Sequence, residues 1–72
     1  KKAVASGDFF ATGHCYFSGL GVEQDDVKAA EWFSKAADNG NAFAQFYLGF
    51  CFLIGQGVKK DFVKAFEWVS KA

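Results

Sequence analysis

Between residues 27 and 37 the apolar side chains Val27, Ala29, Trp32, Phe33, Ala36 and Ala37 recur at steps of three and four. Lys28, Glu31 and Lys35 fall on the opposite side. That spacing is the stripe of an amphipathic helix, not the alternation of a half-buried strand. Asp25 or Asp26 can cap the helix at its start, and Asn39-Gly40 ends it near Asp38. Glu31 and Lys35 stand one turn apart in the favourable order, a pair worth a few tenths of a kcal/mol. Asn41 can cap a further helix over about Ala42 to Ile54, apolar nearly all round; such a helix is normally buried on every side. Similar patterning predicts a helix from about Asp8, its own N-cap, to Ser18, and another from Asp61 through Ala72. Proline is absent and no strand signal competes. The expected fold is all-α: four helices in two antiparallel hairpins.

The pattern occurs twice. Residues 19–36 read GLGVEQDDVKAAEWFSKA and residues 55–72 read GQGVKKDFVKAFEWVSKA, and the offset of 36 residues also relates Phe10, Gly13 and Cys15 to Phe46, Gly49 and Cys51. A fixed period of about 20–50 residues is the mark of a stacked repeat array. The chain divides into residues 1–7, the tail of a preceding helix, then 8–41, repeat one, and 42–72, repeat two, incomplete. In this division Gly7 ends a helix as Gly40 does. It leaves repeat one three residues shorter, 6 from Gly7 to Gly13 against 9 from Gly40 to Gly49, so either the first helix is short or residues are missing near positions 8–9.

The repeated residues read as construction elements. Gly19, Gly21, Gly55 and Gly57 supply tight turns, and Val22 and Val58 plug them. Gly13 and Gly49 sit mid-helix, where Gly costs about 1 kcal/mol against Ala, which implies a contact too close for a methyl group. Trp32 and Trp68 anchor the hairpins, and Ala29, Ala36, Ala65 and Ala72 let helices approach.

Composition adds limits. Of 72 residues 51% are apolar and 19% aromatic, and eight basic residues balance eight acidic ones. A neutral chain without a basic face is a poor nucleic-acid binder. The longest apolar run is far short of the roughly 18 residues of a membrane span. With no Met and no polar caps, the sequence reads as part of a longer array, flanked by neighbouring repeats of the same chain. Cys15 and Cys51 hold equivalent places in successive repeats, about 10 Å apart by helix packing distances. Disulfides need Cα atoms within about 7 Å, so both cysteines are expected to be free. Two cysteines and His14 do not make a four-ligand zinc site. No paired carboxylates, activated nucleophile or phosphate loop is present, so no catalytic, cofactor or metal residue is assigned.

The run Ala44-x-x-x-Leu48-Gly49-x-x-Phe52-x-x-Gly55-x-Gly57-Val58-x-x-Asp61-x-x-Lys64-Ala65-x-x-Trp68-x-x-Lys71-Ala72 resembles the Sel-one-like repeat, a relative of the tetratricopeptide repeat. The first copy matches from Gly13 to Gly40 and departs at Thr12, where the family has Leu, and at Asp8, where it has Ala. The resemblance implies a right-handed α/α superhelix, or solenoid, serving as a non-catalytic adaptor that binds protein or peptide partners on its concave face. Members act in eukaryotic protein quality control, chitin-synthase activation and bacterial host interaction. Cysteine-rich bacterial relatives, described as weak β-lactamases, imply an enzymatic alternative. Their cross-linking cysteines have no counterpart here, since Ala37 stands at one such position. A third reading is an architectural fragment of a large complex.

Phe9, Phe17, Leu20, Tyr47, Leu53 and Ile54 are apolar where the family is more often polar. This apolar surface has two readings: neighbouring repeats of the same chain cover part of it, or, with His14, which matches Phe50, it is a partner-binding patch of Phe9, His14, Phe17, Phe43, Tyr47, Phe50 and Ile54. Apolar surface of this extent also predicts self-association of the isolated chain.

Overall fold

The computed structural model describes residues 6–72, with side chains from Phe9 onward. Four helices follow one another: α1 (Ser6–Ser18), α2 (Asp26–Asp38), α3 (Ala42–Ile54) and α4 (Phe62–Lys71). There is no strand among the described residues. α1 packs on α2 and α3 on α4, giving two hairpins, and α2 packs on α3 to stack one hairpin on the other.

Local chemistry sets the ends of the helices. Asp25 caps α2 and Asp61 caps α4, each carboxylate accepting the backbone N–H three residues on, at 3.1 Å from Lys28 and 3.0 Å from Lys64. Asn41 caps α3 in the same way, accepting from the Ala44 N–H at 2.9 Å. The hairpin turns are copies of each other. Gly19 and Leu20 donate to the Cys15 carbonyl, as Gly55 and Gln56 donate to that of Cys51. Gly19, Gly21, Gly55 and Gly57 all have φ between 73° and 76°, the left-handed region that costs glycine little.

Several expectations are corrected. α1 begins at Ser6, so Asp8 lies inside its first turn instead of capping it, and Gly7 is helical instead of ending an earlier helix. α1 and α3 are both 13 residues long and start at equivalent positions. The apparent shortening of the first repeat comes from equating Gly7 with Gly40 and disappears. Packing sets the helix length here, and an internal Gly at about 1 kcal/mol is tolerated. Residues 1–5 of the proposed preceding helix lie outside the described residues. Val58 is half-buried against the core, whereas Val22 is exposed, because no hairpin among the described residues stacks on its side. Ala72 is likewise exposed, while Ala29, Ala36 and Ala65 are buried as expected.

The core is small and lies between the hairpins: Phe33 with Ala29, Ala36, Ala37, Ala44, Leu48 and Cys51. Its largest fully buried side chain is Phe33, at 0% exposure, and not Trp32 or Trp68, which are half-buried. Each Trp instead carries the ammonium of a repeated lysine. Lys35 lies 4.6 Å from the ring centroid of Trp32, and Lys71 4.6 Å from that of Trp68. Lys35, expected to face Glu31, thus lies over the indole. Contacts of this kind are worth about 0.5–1 kcal/mol at exposed sites.

Candidate partner-binding surface

The seven candidate residues separate into two groups. Tyr47 projects from α3 into rings of the first hairpin, with centroids 5.4 Å from Phe10, 5.4 Å from Phe33, 6.0 Å from Phe17 and 6.4 Å from His14. The Phe10 and Phe33 rings are stacked on Tyr47 at 9° and 28°, and Phe17 and His14 are tilted against it. His14 also lies within ring distance of Phe10 and Phe17. Phe9 stands apart, tilted against Trp32 at 5.7 Å. Phe9, His14, Phe17 and Tyr47 are therefore half-buried in the molecule's own aromatic packing. Phe43, Phe50 and Ile54 are exposed on α3, Phe43 at 73%.

A second apolar surface was not singled out from the sequence. α3 and α4 flank a groove of about 480 Å³ whose lining is wholly apolar or Gly, including Phe46, Gly49, Phe50, Leu53, Phe66 and Val69. The signal for it lay in residues 62, 63, 66 and 69, apolar at helical spacing. On α4 that stripe faces outward, with Phe66 73% exposed. A separate cleft of about 550 Å³ in the seam between the hairpins mixes Glu31 and Glu67 with Lys64 and Lys71 above Leu48 and Trp68.

Both cysteines are free. Burial, with a smaller contribution from the Asp26 carboxylate, pushes the Cys51 thiol up to about 11, so it stays protonated and unreactive at neutral pH. Among the described residues no group of His, Cys, Asp and Glu is arranged to hold a metal ion, and no helix is long and apolar enough to cross a membrane.

The profile of the Sel1 repeat matches residues 10–41 and again residues 42–72. The chain belongs to the Sel1 repeat family. Solved Sel1 structures agree with this. A Sel1 repeat protein from Oxalobacter formigenes superposes with a TM-score of 0.89 at 39% identity over 92% of this chain. A protective antigen of uropathogenic Escherichia coli displaying an SLR fold superposes with a TM-score of 0.90 at 35% identity, also over 92% of this chain. The chain spans only 27% and 14% of those two proteins. No curated protein sequence matches it. Sel1 repeats are in general helical protein-interaction repeats, and the four-helix architecture here is of that kind.

Proposed function

We propose that this Sel1 array is a non-catalytic scaffold that binds a protein or peptide partner through the concave face of the solenoid, with the exposed side of α3 as the contact. The observation that carries the reading is the exposure of Phe43, Phe50 and Ile54 on one helix that otherwise packs at the centre of the molecule. Large apolar side chains held on a rigid helix lose little conformational freedom on binding, which favours their use as interface anchors. The half-buried His14 and Phe17 pack against Tyr47 of α3, while Phe9 packs on Trp32. The hydrolytic alternative draws no support from the geometry: the thiols are free, and Cys51 is buried and protonated.

Phe43 and Ile54 give the cleanest test, because neither lines the α3–α4 groove. Proteins captured on the immobilised full chain should fall at least about tenfold with Phe43→Asp plus Ile54→Asp, about 1.4 kcal/mol. Helical content should be unchanged. Undiminished capture by the double variant overturns the reading.

A further inference from the structure

The turns that close the two hairpins share their backbone hydrogen bonds but not the side chains around them. Gln56 of the second turn donates through Nε2 to Asp26 Oδ1 of α2, across the seam, at 3.1 Å. Gln24 holds the same oxygen from within the first hairpin at 2.6 Å. This corner of the seam has no slack, since a Cβ on Gly57 would overlap the Asp26 carbonyl.

At the offset of 36 residues both halves of the contact are replaced. Leu20 stands at the place of Gln56, Phe62 at that of Asp26 and Lys60 at that of Gln24. Lys60 lies over the Phe62 ring at 5.7 Å, so the acceptor and its local donor give way together to a ring and a cation. The first hairpin therefore offers a carboxylate on one side and a leucine on the other, and the second offers a phenylalanine and an amide. Carboxylate matches amide, as here, and phenylalanine matches leucine. A leucine against Asp26, or a phenylalanine against Gln56, leaves a polar group desolvated without its partner.

A second polar contact across the seam carries no such selectivity. Gln45 Nε2 donates to the Ala37 carbonyl at 3.2 Å, and a backbone carbonyl is present whatever residue stands there.

We propose that Asp26 and Gln56 are a matched pair that sets the order of hairpins in the array: the first hairpin accepts the second and rejects a copy of itself. The pair acts by penalising the wrong neighbour, as polar positions do in coiled-coil seams. The inference concerns how the array assembles and stands apart from the partner face on α3.

A double-mutant cycle on the full chain tests it. Gln56→Leu and Asp26→Phe each create a mismatch, and together they install the combination of Leu20 and Phe62. Each single change should lower the folding constant in urea denaturation about tenfold, the scale of a hydrogen bond to a charged group. The double variant should lose at least about fivefold less than the product of the two singles. Asp26→Phe with Gln45→Leu should simply multiply, because Asp26 and Ala37 lie at opposite ends of α2, about 16 Å apart. A spectroscopic measurement stands beside the cycle and does not rely on tolerance of the phenylalanine. In heteronuclear NMR spectra Asp26→Ala should shift the Gln56 side-chain amide and speed its exchange with water, and leave that of Gln45 unchanged. Losses that multiply in the Asp26 and Gln56 cycle overturn the proposal. So does a double variant less stable than either single, or a Gln56 side-chain amide indifferent to Asp26→Ala.

Discussion

Gly13 and Gly49 hold the same place in the repeat and have different neighbours. A Cβ on Gly13 would stand 2.9 Å from the Phe33 ring and 3.1 Å from Trp32 Cβ. Phe33 is fully buried among other rings and cannot give way. On Gly49 the Cβ would meet Val69 Cγ2 at 2.7 Å, the Ala65 carbonyl oxygen at 3.0 Å and the Val69 backbone nitrogen at 3.2 Å, so the backbone of α4 itself stands in the way. Overpacking costs about 1–3 kcal/mol and the gain in helix propensity from Gly to Ala returns about 1. Gly13→Ala and Gly49→Ala should therefore each destabilise the chain by about 1–2 kcal/mol in urea denaturation. An Ala that is neutral or stabilising at either position would refute the close approach. The close approach itself was legible in the sequence, from a costly residue used twice in mid-helix. Which neighbour causes it was not, because the pattern does not say that the Phe33 ring stands over Gly13 and the backbone of α4 over Gly49.

The starts of α2, α3 and α4 are each built from one capping side chain, and α2 and α4 repeat the arrangement closely. Asp25 and Asp61 accept the third N–H of α2 and α4, while Asp26 serves a different end. Asp26 accepts from Gln24 at 2.6 Å and from Gln56 at 3.1 Å, tying the second turn to the first hairpin. The sequence left the cap open between Asp25 and Asp26, since both residue types are suited to it. The choice is visible in the repeat, where Asp61 matches Asp25 and Phe62 matches Asp26. Lys28 over Tyr16 and Lys64 over Phe52, each at 5.6 Å, recur likewise and join the helices within a hairpin. Removing either cap by Asp25→Ala or Asp61→Ala should cost about 1 kcal/mol. Faster amide exchange should be confined to the first turn of α2 or α4 respectively. Exchange that accelerates throughout both helices would show that the caps hold more than their own termini. What the sequence hid at this scale was the direction of the α4 stripe. A periodic apolar face predicts burial, yet Phe62, Val63, Phe66 and Val69 are exposed, because the element that would cover them is not α3.

In a repeat array stability is approximately the sum of each unit's own stability and the contact between neighbours. The contact here is narrow, with Tyr47 at its centre and Asp26, Gln56 and Gly57 at its edge. A side chain on Gly57 would overlap the Asp26 carbonyl. The two hairpins are unequal partners. The first holds Phe33 in a closed ring cluster, whereas the second has Val69 at that position and one buried residue, Ala65, on α4. Coupling through Tyr47 should therefore decide whether the second hairpin unfolds with the first or ahead of it. The two tryptophans report on the hairpins separately once the other is replaced by Phe. With Tyr47 intact, the Trp32-only and Trp68-only chains should melt at one urea concentration. Tyr47→Ala should cost about 3 kcal/mol, at the low end for truncating a large aromatic residue. It should also split the midpoints, the Trp68 signal moving to lower urea while the Trp32 signal shifts less. Coincident midpoints after Tyr47→Ala would mean that the hairpins are coupled elsewhere, through the Asp26 seam or the backbone between α2 and α3. Tyr47 would then be released from a structural role, and its place among the candidate contact residues would have to be judged by partner binding alone.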